Sequence, residues 1–112
     1  MENQHRKIAG YRELLPEEID LMNRIKAKGA ELLGLHAELA GRLSTDHEAK
    51  HIAAFEAQRG TGFDVMQGAS DEAQEFRRFL AAEPHRWAAI AKTDIQTGIM
   101  ALVRAVAQPT SC

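Results

Sequence analysis

Apolar residues recur at steps of three and four along two stretches of this chain. In the first they fall at Ile19, Met22, Ile25, Gly29, Leu32, Leu33, His36, Leu39 and Leu43. That spacing keeps one face of an α-helix apolar and predicts a long helix over residues 16–43. Pro16-Glu17-Glu18 suits its start, since proline needs no amide partner in a first turn and acids favour the positive end of the dipole. The second stretch runs from Pro84 through Trp87, Ile90, Ala91, Ile95, Gly98, Met100, Ala101, Leu102, Ala105 and Val106, and it is expected to stop before Pro109.

Between them the pattern is shorter and more broken. Ser44-Thr45-Asp46 reads as a cap, followed by a plausible helical stretch over 46–58. The glycines at 60, 62 and 68 interrupt regular structure. Residues 71–82 predict a short helix with Phe76, Phe79 and Leu80 on one side. No useful strand alternation and no internal repeat is visible. The expected fold is all-α: a long antiparallel helical hairpin with an N-terminal arm and a short helical insert, oligomerising. The expected organisation is a single helical domain over 1–112, with the arm at 1–15, the first long helix at 16–43, the insert at 44–83 and the second long helix at 84–108. Two antiparallel helices cannot cover every apolar position, so spare apolar surface must meet another copy or the middle segment.

Composition agrees with close helix packing. The 112 residues are 45% apolar but only 5% aromatic, with one Trp and one Tyr. A chain of this size buries only about two-thirds of its unfolded surface. The single cysteine, Cys112, excludes an internal disulfide and a cysteine-rich zinc site. No apolar run approaches the ~18 residues of a membrane span, and no apolar stretch follows the basic residues of the N-terminus. A soluble cytoplasmic protein is expected, with no membrane partner.

The net charge of −2 disfavours a general DNA binder, which needs a basic surface. The charge is segregated, however. Residues 1–12 carry +2, residues 13–43 carry −2, residues 44–83 carry −4 and residues 84–112 carry +2. The two mildly basic ends can serve a small anion even though the whole chain is acidic.

Three patterns could carry chemistry. His47-Glu48-Ala49-Lys50-His51 fits H-E-x-x-H, which on a helix sets two imidazoles on one face for zinc, with the glutamate as general base. No third ligand is specified, and two histidines on a solvated helix are the plainer account. Gly60-Thr61-Gly62 lacks both a preceding strand and a third glycine, so it reads as a flexible connector. Tyr11, beside Arg12 and ahead of the first helix, can offer a flat ring to a base, and Lys26 a cation to a phosphate. A packing anchor is the plain alternative for Tyr11. In the last helix Thr93, Thr97, Met100 and Arg104 share a face and could meet phosphate oxygens. Their plain alternative is threonine bonding back to its own helix.

The two ends together resemble a known family. Asn3-Gln4-His5-Arg6-Lys7-Ile8-Ala9-Gly10-Tyr11-Arg12-Glu13-Leu14, with Glu17 to Asn23 and Lys26, looks like the arm and first helix of the phage anti-CBASS cyclic-nucleotide sponges. Arg86-Trp87, Ile90 to Thr93, Gln96, Gly98, Met100 to Leu102, Arg104-Ala105 and Gln108-Pro109 look like that family's second hairpin helix, which an anti-Thoeris sponge shares. The resemblance implies a helical homo-hexamer in the host bacterial cytoplasm. It implies sequestration of cyclic dinucleotides and cyclic trinucleotides without cleavage, hence no enzyme activity, cofactor, metal or DNA partner. It puts cyclic dinucleotide binding on Tyr11 and Lys26, with Arg12 beside them. Cyclic trinucleotide binding uses an arginine and a threonine, for which Thr93 is the candidate threonine and Arg86, Lys92 and Thr97 are further candidates. Residues 44–83 depart from the shorter members of the family. The alternatives are a helical-hairpin interaction protein without a nucleotide ligand, and a zinc hydrolase using His47, Glu48 and His51.

Overall fold

The computed structural model describes residues 12–109. Three helices account for most of them: α1 (Pro16–Gln58), α2 (Asp71–Ala82) and α3 (Pro84–Ala107). No strand occurs among the described residues. The all-α class and the starts of all three helices agree with the pattern of the sequence.

The expected boundary at 43 does not. α1 continues through Ser44, Thr45 and Asp46 to Gln58. A capping hydroxyl accepts from amides ahead of it. Here the Thr45 hydroxyl instead donates backward to the Gly41 carbonyl at 3.1 Å, and Arg42 pairs with Asp46 one turn on at 3.5 Å. The polar side chains are thus used within the helix, and the following turns bury Ala54. The insert therefore begins structurally after Gln58 rather than at 44.

The described residues form two compact units, 12–34 with 92–109, and 35–91. In the first, α1 and α3 run antiparallel and approach closely at Gly29, where a Cβ would fall on the Ile99 side chain. The absent side chain allows that approach. Arg12 closes one end of this unit. Its guanidinium donates to both carboxylate oxygens of Glu18, at 3.1 and 2.7 Å, and to the Val106 carbonyl at 2.8 Å. Glu18 also accepts the Leu15 amide at 2.9 Å, as a residue of the first turn reaching back to the N-cap. One guanidinium therefore joins the start of α1 to a last-turn carbonyl of α3. The Arg12 hydrogen bonds, followed by the Leu15 amide, hold the Glu18 carboxyl below its usual range.

The second unit has an aromatic core. Ala54 of α1 meets Ala73 and Phe76 of α2, with Val65 and Leu80 packed against them, and Phe79 is also buried. His36 Nε2 donates to the Ala88 carbonyl at 2.8 Å, a polar bond at a position that sequence periodicity assigned to the apolar face. The connector 59–70 is hydrogen-bonded rather than loose. Gln58, only 6% exposed, donates to the Thr61 hydroxyl at 3.1 Å and accepts the Ser70 amide at 3.2 Å. Gly60 and Gly62 take left-handed φ of 81° and 84°. Ser70 then caps α2 by accepting the Ala73 amide at 3.1 Å. Glu83, at φ 51°, closes α2 and Pro84 opens α3.

Candidate functional site

The sequence candidates distribute unevenly over the two units. Tyr11 lies outside the described residues. Lys26, Lys92, Thr93 and Thr97 belong to the first unit and are exposed; Arg86 belongs to the second and is also exposed. Arg12 is half-buried and engaged in the clip, with its terminal guanidinium nitrogens directed at Glu18 and Val106. Glu18 stands eight positions before Lys26 on α1, about 12 Å along the axis. Within one chain, then, the Arg12 guanidinium is not placed beside Lys26.

Lys26 differs from its basic neighbours. Arg24 pairs with Asp20 at 2.9 Å and Lys28 with Glu31 at 3.6 Å, each within a turn. Lys26 has no carboxylate partner among the described residues, so its charge remains available to an anion from elsewhere. Thr93 and Thr97 likewise find no hydrogen-bond partner there. The expected back-bonding to the helix occurs at Thr45 instead.

The same unit carries an apolar groove of about 400 Å³ between Leu21, Ile25, Leu32, Ile99 and Leu102, with Arg24 and Lys28 at its edge. Large side chains here are left to solvent in the single chain: Leu21, Leu32, Leu102 and, on α3, Met100 at 71%. Such continuous apolar exposure marks an interaction surface.

The H-E-x-x-H segment has a different environment from the one its spacing suggests. The His47 ring lies edge-on to Phe76 and Phe79 at 5.5 and 6.0 Å, and His51 lies 5.2 Å from Phe76. These imidazoles cover the aromatic core of the second unit. With Ser44, Glu48 and His85 they line an open pocket of about 570 Å³. No group of three or more His, Cys, Asp or Glu among the described residues is arranged to hold a metal ion. His47 is half-buried against α2, whereas His51 is exposed as expected for a solvated helix.

The strongest electrostatic perturbation also belongs to packing. Glu75 of α2 accepts two hydrogen bonds from Arg78, both at 2.7 Å, and pairs with Lys50 of α1 at 3.0 Å. Arg78 and then Lys50 hold its carboxyl down to about 2. The contact joins α1 to α2 on the surface of the second unit.

These features define a class: an all-helical protein built on antiparallel α1–α3 packing, with an uncommitted lysine and a free apolar groove in one unit. The Acb2/Tad1 hairpin domain matches the chain over residues 4–107. The chain belongs to this family. It is also 66% identical, over 112 residues and the whole of both chains, to Anti-CBASS protein 2 of Pseudomonas phage JBD67. That match runs through residues 44–83, so the middle segment is shared with this relative. No helix among the described residues is long and apolar enough to cross a membrane.

Proposed function

We propose that this chain is a phage anti-CBASS protein acting as a sponge in the host bacterial cytoplasm. It binds cyclic di- and trinucleotide signals and holds them uncleaved, so that CBASS effectors stay off. The observation that carries this reading is the full-length similarity to Anti-CBASS protein 2. The uncommitted charge of Lys26 supports it. Tyr11 offers a ring to a base, Lys26 meets a phosphate, and Arg12, the residue after Tyr11, fixes the chain there by its bonds to Glu18 and Val106. Thr93 and Thr97, with hydroxyls free of helix bonds, and Lys92 are the first unit's candidates for trinucleotide phosphates; Arg86 is that of the second.

The exposed groove of the first unit supports assembly into a homo-oligomer, a hexamer by family resemblance. A ligand held between copies would stabilise the assembly, because whatever binds the assembled state favours it. The test is recovery. The protein is mixed with cyclic di-AMP, denatured, and the nucleotide analysed; intact ligand is expected, and linear products would overturn the reading.

The groove also favours a second reading, a hairpin that docks a partner helix and binds no nucleotide. A thermal-shift panel separates the two: cyclic nucleotides well above their dissociation constants raise the melting temperature of a sponge by several degrees and leave the docking protein unmoved.

A further inference from the structure

Four described residues precede α1, Arg12 to Leu15, and none of them is helical. Four extended residues can span about 13–14 Å. A tether of that length would let the chain ahead of it sweep widely over the end of the first unit. It is not left loose. The Arg12 guanidinium grips Glu18 through two parallel bonds, at 3.1 and 2.7 Å, and reaches the Val106 carbonyl at 2.8 Å. The two side chains are only 33% and 24% exposed. The nearby pairs Asp20–Arg24 and Lys28–Glu31 are at least 66% exposed and lie within one turn of α1. A covered, two-bonded arginine–carboxylate pair fixes geometry as well as charge.

The start of α1 has its own support. The Leu15 carbonyl accepts the Glu18 and Ile19 amides at 2.9 and 3.0 Å, and the Glu18 carboxylate accepts the Leu15 amide. What the grip adds is a fixed place for Arg12, against α1 and α3 at once. A trans peptide holds consecutive Cα atoms about 3.8 Å apart, so a fixed Arg12 also limits where Tyr11 can go. A ring that must stack on a base gains from this, because less ordering remains to be paid for on binding.

We propose that Glu18 is a positioning residue for cyclic dinucleotide binding: it holds Arg12, and through Arg12 the backbone that carries Tyr11, without touching the ligand. This rests on the sponge reading and on the stacking role of Tyr11 within it. A carboxylate would repel a phosphate, but this one is committed to Arg12 and Leu15. It therefore serves the site through the chain and not through contact.

A double-mutant cycle tests this. Full-length wild type, Glu18→Ala, Tyr11→Ala and the double variant are titrated with cyclic di-AMP by calorimetry, at raised protein concentration for the weaker binders. Glu18→Ala is expected to weaken binding about tenfold when Tyr11 is present, and less than about twofold when Tyr11 is already alanine. Glu18→Gln, which keeps the shape and an acceptor but not the charge, should lose less than Glu18→Ala. Circular dichroism checks folding, and if Glu18→Ala fails to fold, Glu18→Gln carries the same cycle. A helix pair merely loosened by the substitution would lose the same factor in both backgrounds, and that result overturns the inference. So does unchanged affinity in Glu18→Ala, or wild-type affinity in Tyr11→Ala. Each of these leaves the sponge reading standing. Wild-type protein that binds neither cyclic di-AMP nor a cyclic triadenylate overturns both.

Discussion

The two units of this protein are stabilised by different means. Residues 35–91 enclose aromatic rings: Phe76 and Phe79 are 4% and 6% exposed, two alanines bring the helices together, and a buried glutamine organises the connector. Residues 12–34 and 92–109 contain no buried apolar side chain. They rely on one close approach at Gly29, one arginine clip, and apolar side chains that remain at the surface. Both units leave large apolar side chains at the surface, but only residues 35–91 also bury large rings, and the uncommitted Lys26 belongs to the other unit. The buried aromatic core thus belongs to residues 35–91, which also expose Phe55, Phe63 and Trp87, while the close helix approach at Gly29 and the uncommitted Lys26 belong to the other unit.

Mutations can break that division. The largest effect is expected for Phe76→Ala, which removes the ring between α1 and α2 and should cost about 3–5 kcal/mol in urea or thermal unfolding. A loss below about 1 kcal/mol would place the stabilising core elsewhere. Gly29→Ala forces a methyl group onto Ile99 and should cost about 1–3 kcal/mol, read by the same melts. No loss would show that the helices of the first unit separate readily.

Lys26→Ala should leave stability within about 0.5 kcal/mol of wild type, since the lysine has no partner among the described residues. It should weaken cyclic dinucleotide binding by about 1–3 kcal/mol, as for a charged hydrogen bond, measured by calorimetry. The reverse outcome, lost stability with intact binding, would make Lys26 a packing residue rather than a ligand contact.

The smallest effect is that of acid on Glu75. Its carboxyl titrates near 2 when folded, against an ordinary 4.5, so the folded state releases this proton more readily than the unfolded one. The contribution of Glu75 is complete above pH 4.5 and disappears as pH falls through about 2. Glu75→Gln should remove that part of the acid sensitivity, measured as the slope of melting temperature over this window. An unchanged slope would mean that the Lys50–Glu75–Arg78 contact does not join α1 to α2 in solution.

Much of the fold was legible in the residues. Pro16 and Pro84 mark helix starts by local backbone chemistry, and both starts occur where that chemistry predicts, whereas the Ser70 cap of α2 emerged only in the structure. The cap at Ser44-Thr45-Asp46 was misleading, because the same side chains can serve a helix interior: Thr45 bonds backward and Asp46 pairs with Arg42. The H-E-x-x-H spacing was correct as a periodicity and incomplete as chemistry, since it could not show that α2 would bring Phe76 against both imidazoles. Arg12 sat beside a candidate binding residue in sequence, and only folding showed its guanidinium on Glu18 and Val106. His36 and Trp87 read as apolar-face positions, yet one donates to a carbonyl and the other faces solvent. Amphipathic spacing cannot separate these cases, because it reports which side a residue occupies and not what stands opposite.

The sequence by itself determined the helical class, the order of elements, the segregated charge and the family-like ends, because these depend on local propensity, period and residue identity along the chain. Tertiary structure alone decided which cations are committed and which are free, that a glycine stands against Ile99, and that the sole tryptophan lies outside the core. Those properties depend on groups far apart in the chain: Arg12 meets a carbonyl 94 residues away, and no local pattern encodes that distance.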